Sequence, residues 1–136
     1  MIEHSEDVRA AEGAEREALA AVDSYMDAFN RRDLAGMDAA LHFPHVRIAS
    51  GTVRVIERPG LAPADFFERF AAASGWACSR WDYRRAVQSS RDKVHFAVQF
   101  TRYREDGSAI GSYPSMWIVT LREGRWGVQA RSSFAP

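Results

Sequence analysis

A single cysteine, Cys78, stands in the 136 residues. One thiol can make neither an internal disulfide nor a multi-cysteine zinc site, and it points to a reduced, cytoplasmic setting. Lysine is nearly absent too: of the 18 basic residues only Lys93 is not arginine. The basic residues are spread along the chain rather than gathered on one segment. That is a poor footprint for nucleic acid, and no nucleic-acid partner is expected. No run approaches the roughly 20 apolar residues that a membrane-spanning helix needs, so no membrane partner is expected either. Met1 to Ala10 is acidic and polar and carries no secretory signal. Also missing are a Gly-x-Ser-x-Gly elbow, a Walker phosphate loop and a dinucleotide fingerprint. No cofactor is expected.

What is present describes a folded chain. Hydrophobic residues make up 46% and aromatic residues 12%, enough to exclude disorder and to fill the core of one domain spanning residues 1–136. The formal charge is zero but uneven. Six of the 18 acidic residues precede Asp23 (Glu3, Glu6, Asp7, Glu12, Glu15 and Glu17) and face only Arg9 and Arg16 there, which leaves the remainder net basic.

Periodicity predicts the elements. Leu19, Val22, Met26 and Phe29, widened by Tyr25 and Ala28, form one apolar stripe of a long helix from about Glu6 to Asn30. Residues 1–14 hold few large apolar side chains and read as an extension free to fray or project. Asp33 reads as the N-cap of a second helix in which Leu34, Met37 and Leu41 share a face, stopped by Pro44. From His45 the pattern alternates, with Val46 and Ile48 on one side and His45, Arg47 and Ala49 on the other. Ser50-Gly51-Thr52 turns the chain into a second strand. Pro63-Ala64-Asp65 opens a third helix with Phe66, Phe67 and Phe70, ending at Ser74-Gly75. Four strands follow: Trp76 to Ser89, Val94 to Tyr103, Ser112 to Leu121 and Trp126 to Phe134, with turns at Arg91-Asp92, Asp106-Gly107 and Glu123-Gly124. Segregated helices and strands imply an α+β fold with an antiparallel sheet.

The segment Tyr25-Met26-Asp27-Ala28-Phe29-Asn30-Arg31-Arg32-Asp33-Leu34 resembles the first-helix exit of the nuclear transport factor 2-like superfamily, and within it the SnoaL-like and ketosteroid-isomerase-like domains. The last strand, from Gly124-Arg125-Trp126-Gly127-Val128, is similar to the final family strand. The resemblance covers the chain from about residue 15 to the end. It implies a cone: a curved antiparallel sheet wrapped around about three N-terminal helices, enclosing a pocket and pairing as a homodimer through the outer sheet face. Steroid isomerases of this kind use a helical tyrosine, a carboxylate in the first strand and a protonated acid on a later strand. Tyr25 matches the first. Ala49-Ser50-Gly51 offers no carboxylate and neither Met116 nor Trp117 can be the acid, so steroid isomerisation itself is excluded.

The residues that could carry chemistry are few. His42-Phe43-Pro44-His45 could hold His45 at a pocket mouth as acid or base, or leave either histidine satisfying helix-end carbonyls. A site built from His42, His45 and His95 has no carboxylate patterned beside it, so no metal is expected. Tyr25 is either core packing or a donor to a ligand oxygen, with Asp23 or Asp27 assisting if one turns inward. Arg47 and Arg131 lie on strands. Arg131 faces outward if Trp126, Val128 and Ala130 pack on the helices, and can pair with an anionic substrate if the opposite row faces in. Phe29, Phe66, Phe70, Trp81 and Trp117 are the expected pocket walls, with Arg47 and Arg131. Cys78 has no activating neighbour in the sequence and reads as inert. Two functions remain open: a SnoaL-like pocket protein for a small, partly apolar organic molecule, acting as a cofactor-free isomerase, dehydratase or cyclase, or a non-catalytic binding or interaction module.

Overall fold

The computed structural model describes residues 2–136; Met1, the first residue of the expected helical extension, lies outside the described residues. Helix α1 (Ile2–Asn30) and helix α2 (Leu34–Ala39) lead into strands β1 (Leu41–Ala49) and β2 (Thr52–Ile56). Helix α3 (Phe66–Ser74) and strands β3 (Cys78–Ser89), β4 (Lys93–Tyr103), β5 (Ala109–Arg122) and β6 (Arg125–Ser133) complete the chain. The strands form one curved, unclosed six-stranded sheet in the order β2-β1-β6-β5-β4-β3. Every pair is antiparallel except β1 and β6, which run parallel.

Helix α1 lies along the inner face of that sheet. Its buried residues, Ala14, Ala18, Ala21, Val22, Tyr25, Met26 and Ala28, recur mostly at spacings of three and four. The alanines let the backbone approach Val94, Phe96 and Val98 of β4 and Trp117 and Val119 of β5, all buried in the same cluster. Fully burying a side chain such as Phe96 is worth about 1.5–3 kcal/mol, so this seam holds helix to sheet.

The segment that carried the family resemblance works as a corner. Asn30 clamps the start of β3 with both ends of its amide: Nδ2 donates to Ser79 O at 2.8 Å and Oδ1 accepts from Ser79 N at 2.8 Å. Asp33 caps α2, its Oδ1 accepting from Gly36 N at 2.9 Å. The second helix is shorter than its apolar spacing suggests. Ala40 closes it, and Leu41, expected on its face, pairs with Val128 as the first residue of β1. Pro44 therefore lies inside a strand, after a cis peptide bond, rather than at a helix end. Trp76, expected in a strand, is buried ahead of β3.

Candidate functional site

Between the inner sheet face, α1, α2 and α3 lies a cavity of about 400 Å³, within the size range of small-molecule sites. Its two ends differ. Phe29, Phe66 and Phe70 make one wall, where Phe29 meets Phe66 and Phe70 edge to face with ring centroids 6.4 and 5.8 Å apart. The other wall is basic, with Arg47, Arg54 and Arg131, and Arg102 joins the two, its guanidinium carbon 4.9 Å from the Phe70 ring centroid; among the described residues the lining holds a single carboxylate side chain, that of Asp38.

Strand register explains this basic wall. Trp117 of β5 faces Arg131 of β6, Arg131 faces Arg47 of β1, and Arg47 faces Arg54 of β2. Three guanidiniums thus follow one another across three neighbouring strands on the inner face. Arg131 reaches that face through a bulge. Ile118 faces Ala130 while Val119 faces Val128, so Gln129 is one residue too many for β5. The insertion lets Val128 and Arg131 both point inward, and re-aiming a side chain is what bulges near sites commonly do.

Arg131 is held on two sides. Its Nε donates to His45 Nε2 at 2.9 Å and its Nη1 to the Tyr25 hydroxyl at 2.7 Å. Its guanidinium carbon also lies 4.6 Å from the Tyr25 ring centroid. His45 Nδ1 bonds Val128 O at 3.0 Å. A carbonyl only accepts and a guanidinium only donates, so His45 carries its proton on Nδ1 and spends the Nε2 lone pair on Arg131. Burial, then the positive charge of Arg131, lowers the His45 pKa from 6.5 to about 3, which keeps the ring neutral.

Two of the other cavity arginines are held by main-chain oxygens. Arg47 Nη2 donates to Ala135 O at 3.3 Å and Arg102 Nη1 to Pro136 O at 3.2 Å. Phe70, Phe100 and Tyr113 surround the Arg102 guanidinium at 4.9, 5.7 and 5.1 Å. Burial pulls the Arg47 and Arg102 pKa values below the ordinary arginine value, with Arg131 adding to the effect at Arg47. Among the described residues no ion pair to a side-chain carboxylate involves Arg47, Arg102 or Arg131. The Tyr25 hydroxyl accepts from Arg131, and its own proton has no acceptor among the described residues. A cationic donor on a phenol oxygen strengthens that oxygen's remaining proton as a donor. This wall can therefore hold a negatively charged or polarised oxygen.

Residues 14–133 match the family described as NTF2-like protein (DUF6841). The chain belongs to this NTF2-like family. No curated protein matches it. Solved structures show the same fold at low identity. An NTF2-like protein with a cystatin-like fold from Novosphingobium aromaticivorans is 11% identical with a TM-score of 0.71, covering 90% of this chain and 81% of that one. A protein of unknown function with a cystatin-like fold from Nostoc punctiforme is 13% identical with a TM-score of 0.68, covering 90% of each chain. A ketosteroid isomerase-like protein from Erwinia carotovora atroseptica is 18% identical with a TM-score of 0.62, covering 90% and 98%. At such identities the likeness extends to fold alone.

In this NTF2-like chain, Tyr25, Phe29, Arg47, Phe66, Phe70, Trp117 and Arg131 all line the cavity. Two expected residues do not. His45 was expected at the mouth but is 0% exposed and sits behind Arg131, because β1 begins before Pro44 and turns the histidine into the core. With its acceptor nitrogen occupied and its ring held neutral, it acts on the cavity through Arg131 rather than as acid or base. Trp81 packs edge-on against Trp117 and Phe100, at 5.3 and 6.1 Å, in the core beside the cavity. Asp23 pairs with Arg84 and Asp27 with Arg31, so neither serves the cavity. His42 is bound on both nitrogens by Arg125, at 2.8 and 3.1 Å. Among the described residues no group of three or more His, Cys, Asp or Glu could hold a metal ion, and no helix is long and apolar enough to cross a membrane.

Arg54, Arg102 and Asp38 were not singled out from the sequence. A signal for Arg102 was there: it continues the alternation of Val94, Phe96, Val98 and Phe100 onto the inner face. Asp38 had no such signal, since its role is a tertiary one. Its Oδ2 accepts from Gly60 N at 2.9 Å and ties the segment between β2 and α3 to α2 at the cavity rim.

Proposed function

We propose that the protein works by binding a small, partly apolar organic molecule in this cavity. The observation that carries the reading is a single space of about 400 Å³ with aromatic rings on one wall and, on the other, a tyrosine hydroxyl with an unused proton beside a fixed guanidinium. Ligand sites are commonly built this way, apolar walls with a few convergent polar groups.

A catalytic version of the reading is favoured by the same hydroxyl. Tyr25, backed by Arg131, is placed to hydrogen-bond a substrate oxygen as charge builds on it, and Asp38 is the carboxylate of the cavity wall available to take a proton. That is the equipment of a cofactor-free isomerase, dehydratase or cyclase. Pairing of two copies through the outer sheet face belongs to this proposal as well, with Met116 38% exposed on that face.

The test is a fragment screen read by amide chemical shifts, on the native chain and on Leu61→Trp. Leu61, 49% exposed in the segment between β2 and α3, lines the cavity, where a larger side chain narrows the entrance without touching the core. The proposal expects fragments that move the amides of Phe100, Arg102, Trp117 and Arg131, and weaker binding in the variant. Shifts confined to Ala97, Ile118 and Ala130 on the outer face would instead support the interaction module.

A further inference from the structure

The cavity's basic wall has more positive charge than the fold itself uses. Arg131 and Arg47 are direct neighbours across parallel strands, where strands lie about 4.8 Å apart. Like charges placed opposite one another destabilise a sheet. Among the described residues no ion pair offsets that repulsion: the salt bridges lie elsewhere, and Asp38, the carboxylate of the cavity lining, makes none. Arg102 is 7% exposed, and its Nε has no hydrogen-bond partner among the described residues.

Each arginine is nevertheless held in place. His45 and Tyr25 fix Arg131 through Nε and Nη1, which leaves its Nη2 edge uncommitted. Arg47 spends one Nη2 contact on Ala135 O. Orienting a cation while leaving its outer N–H groups open is the arrangement that a bidentate oxyanion site requires. Opposite it, Phe29, Phe66 and Phe70 offer a surface that would repel a small hydrated ion but suits an aromatic or aliphatic body.

We propose that the cavity takes an organic anion, with its oxyanion headgroup, a carboxylate or a phosphate ester, on Arg131 and Arg47 and its apolar body against Phe29, Phe66 and Phe70. This rests on the reading that the cavity binds a small molecule and names the chemical class. Arg102, over the Phe70 ring, adds positive field to the cavity as a whole, and the Tyr25 hydroxyl can donate to a headgroup oxygen. The anion relieves the repulsion in the arginine row, so binding and folding stability rise together.

The test is calorimetric titration of the full chain with three probes of one shape: 2-naphthoate, 2-naphthyl phosphate and the neutral 2-naphthamide. The proposal expects at least one of the two anions to bind about 10-fold or more tightly than the amide, the value of one charge-assisted contact. Whichever anion binds more tightly identifies the headgroup. Arg47→Met should erase most of that preference, and Arg47→Lys should restore part of it. Arg69→Met, on an exposed residue of α3, should change nothing. Arg131→Met strips a partner from both His45 and Tyr25 and can fail to fold, which is why Arg47 carries the test. Equal binding of all three probes overturns the anion inference and leaves the pocket reading standing. An anion preference unchanged in Arg47→Met also overturns it, by putting the headgroup elsewhere. Binding of none of them overturns the pocket reading and the inference with it.

Discussion

His45 makes the most quantitative demand on this account. Its ring is buried with one nitrogen bonded to Val128 O and the other accepting from Arg131, and its folded pKa is lowered from 6.5 to about 3. Between those values the unfolded chain binds a proton that the folded chain refuses, so stability is full above pH 6.5 and falls as the pH drops toward 3. The loss approaches about 1.4 kcal/mol per pH unit, or about 2 kcal/mol between pH 7 and pH 5. Urea unfolding of the native chain and of His45→Gln at both pH values isolates this contribution, because the other titrating groups are common to the two proteins. Glutamine offers an acceptor for Arg131 and a donor for Val128 O but does not titrate. The native chain should lose about 2 kcal/mol more than the variant on going to pH 5. An equal loss in both proteins, or a His45 ring resonance titrating between pH 6 and 7, would refute the arrangement of His45 behind Arg131.

Other consequences are simpler. Tyr25→Phe leaves Arg131 Nη1 without its 2.7 Å acceptor and should cost about 1–2 kcal/mol in denaturant unfolding, with weaker binding of any cavity ligand that accepts from the hydroxyl. Gly127→Ala would put a methyl group 2.8 Å from His42 Cδ2, so the ring must shift; a loss of about 1–3 kcal/mol in thermal unfolding is expected, and an unchanged Tm would contradict the close packing. Phe96→Ala, at a position 2% exposed between α1 and the sheet, should cost about 3–5 kcal/mol by the same measurement.

Much of the fold could be read along the chain, because local patterns specify it. The three- and four-residue spacing of α1, the Asp33 cap, the turn at Asp106-Gly107 and the alternation of β4 all depend on neighbours in sequence, and all are present in the structure. The site was legible in its residues more than in its geometry. Strict alternation makes Arg131 share a face with Gly127 and Gln129, opposite Val128, and leaves open which face looks inward. The structure has it both ways: Val128 and Arg131 both face in, because a bulge at Gln129 breaks the alternation. That bulge is set by pairing with β5 and has no local signature. Similarly, the polar row of β1, not the aliphatic one, faces the core: His45 and Ala49 are buried while Ile48 is 47% exposed. An inward row of His45 and Arg47 makes sense only once Arg131, far away in sequence, supplies its partner. Periodicity separates the two faces of a strand; the neighbouring strands decide which face is buried.

The central claim is that the arginine row holds the headgroup of an organic anion. A crystal structure of the complex with 2-naphthoate tests it most directly. The account predicts carboxylate oxygens about 2.7–2.9 Å from guanidinium nitrogens of Arg131 and Arg47, with the rings among Phe29, Phe66 and Phe70. A naphthoate lying the other way round, its rings on Arg131 and its carboxylate at the rim, or one bound outside the cavity, would contradict it.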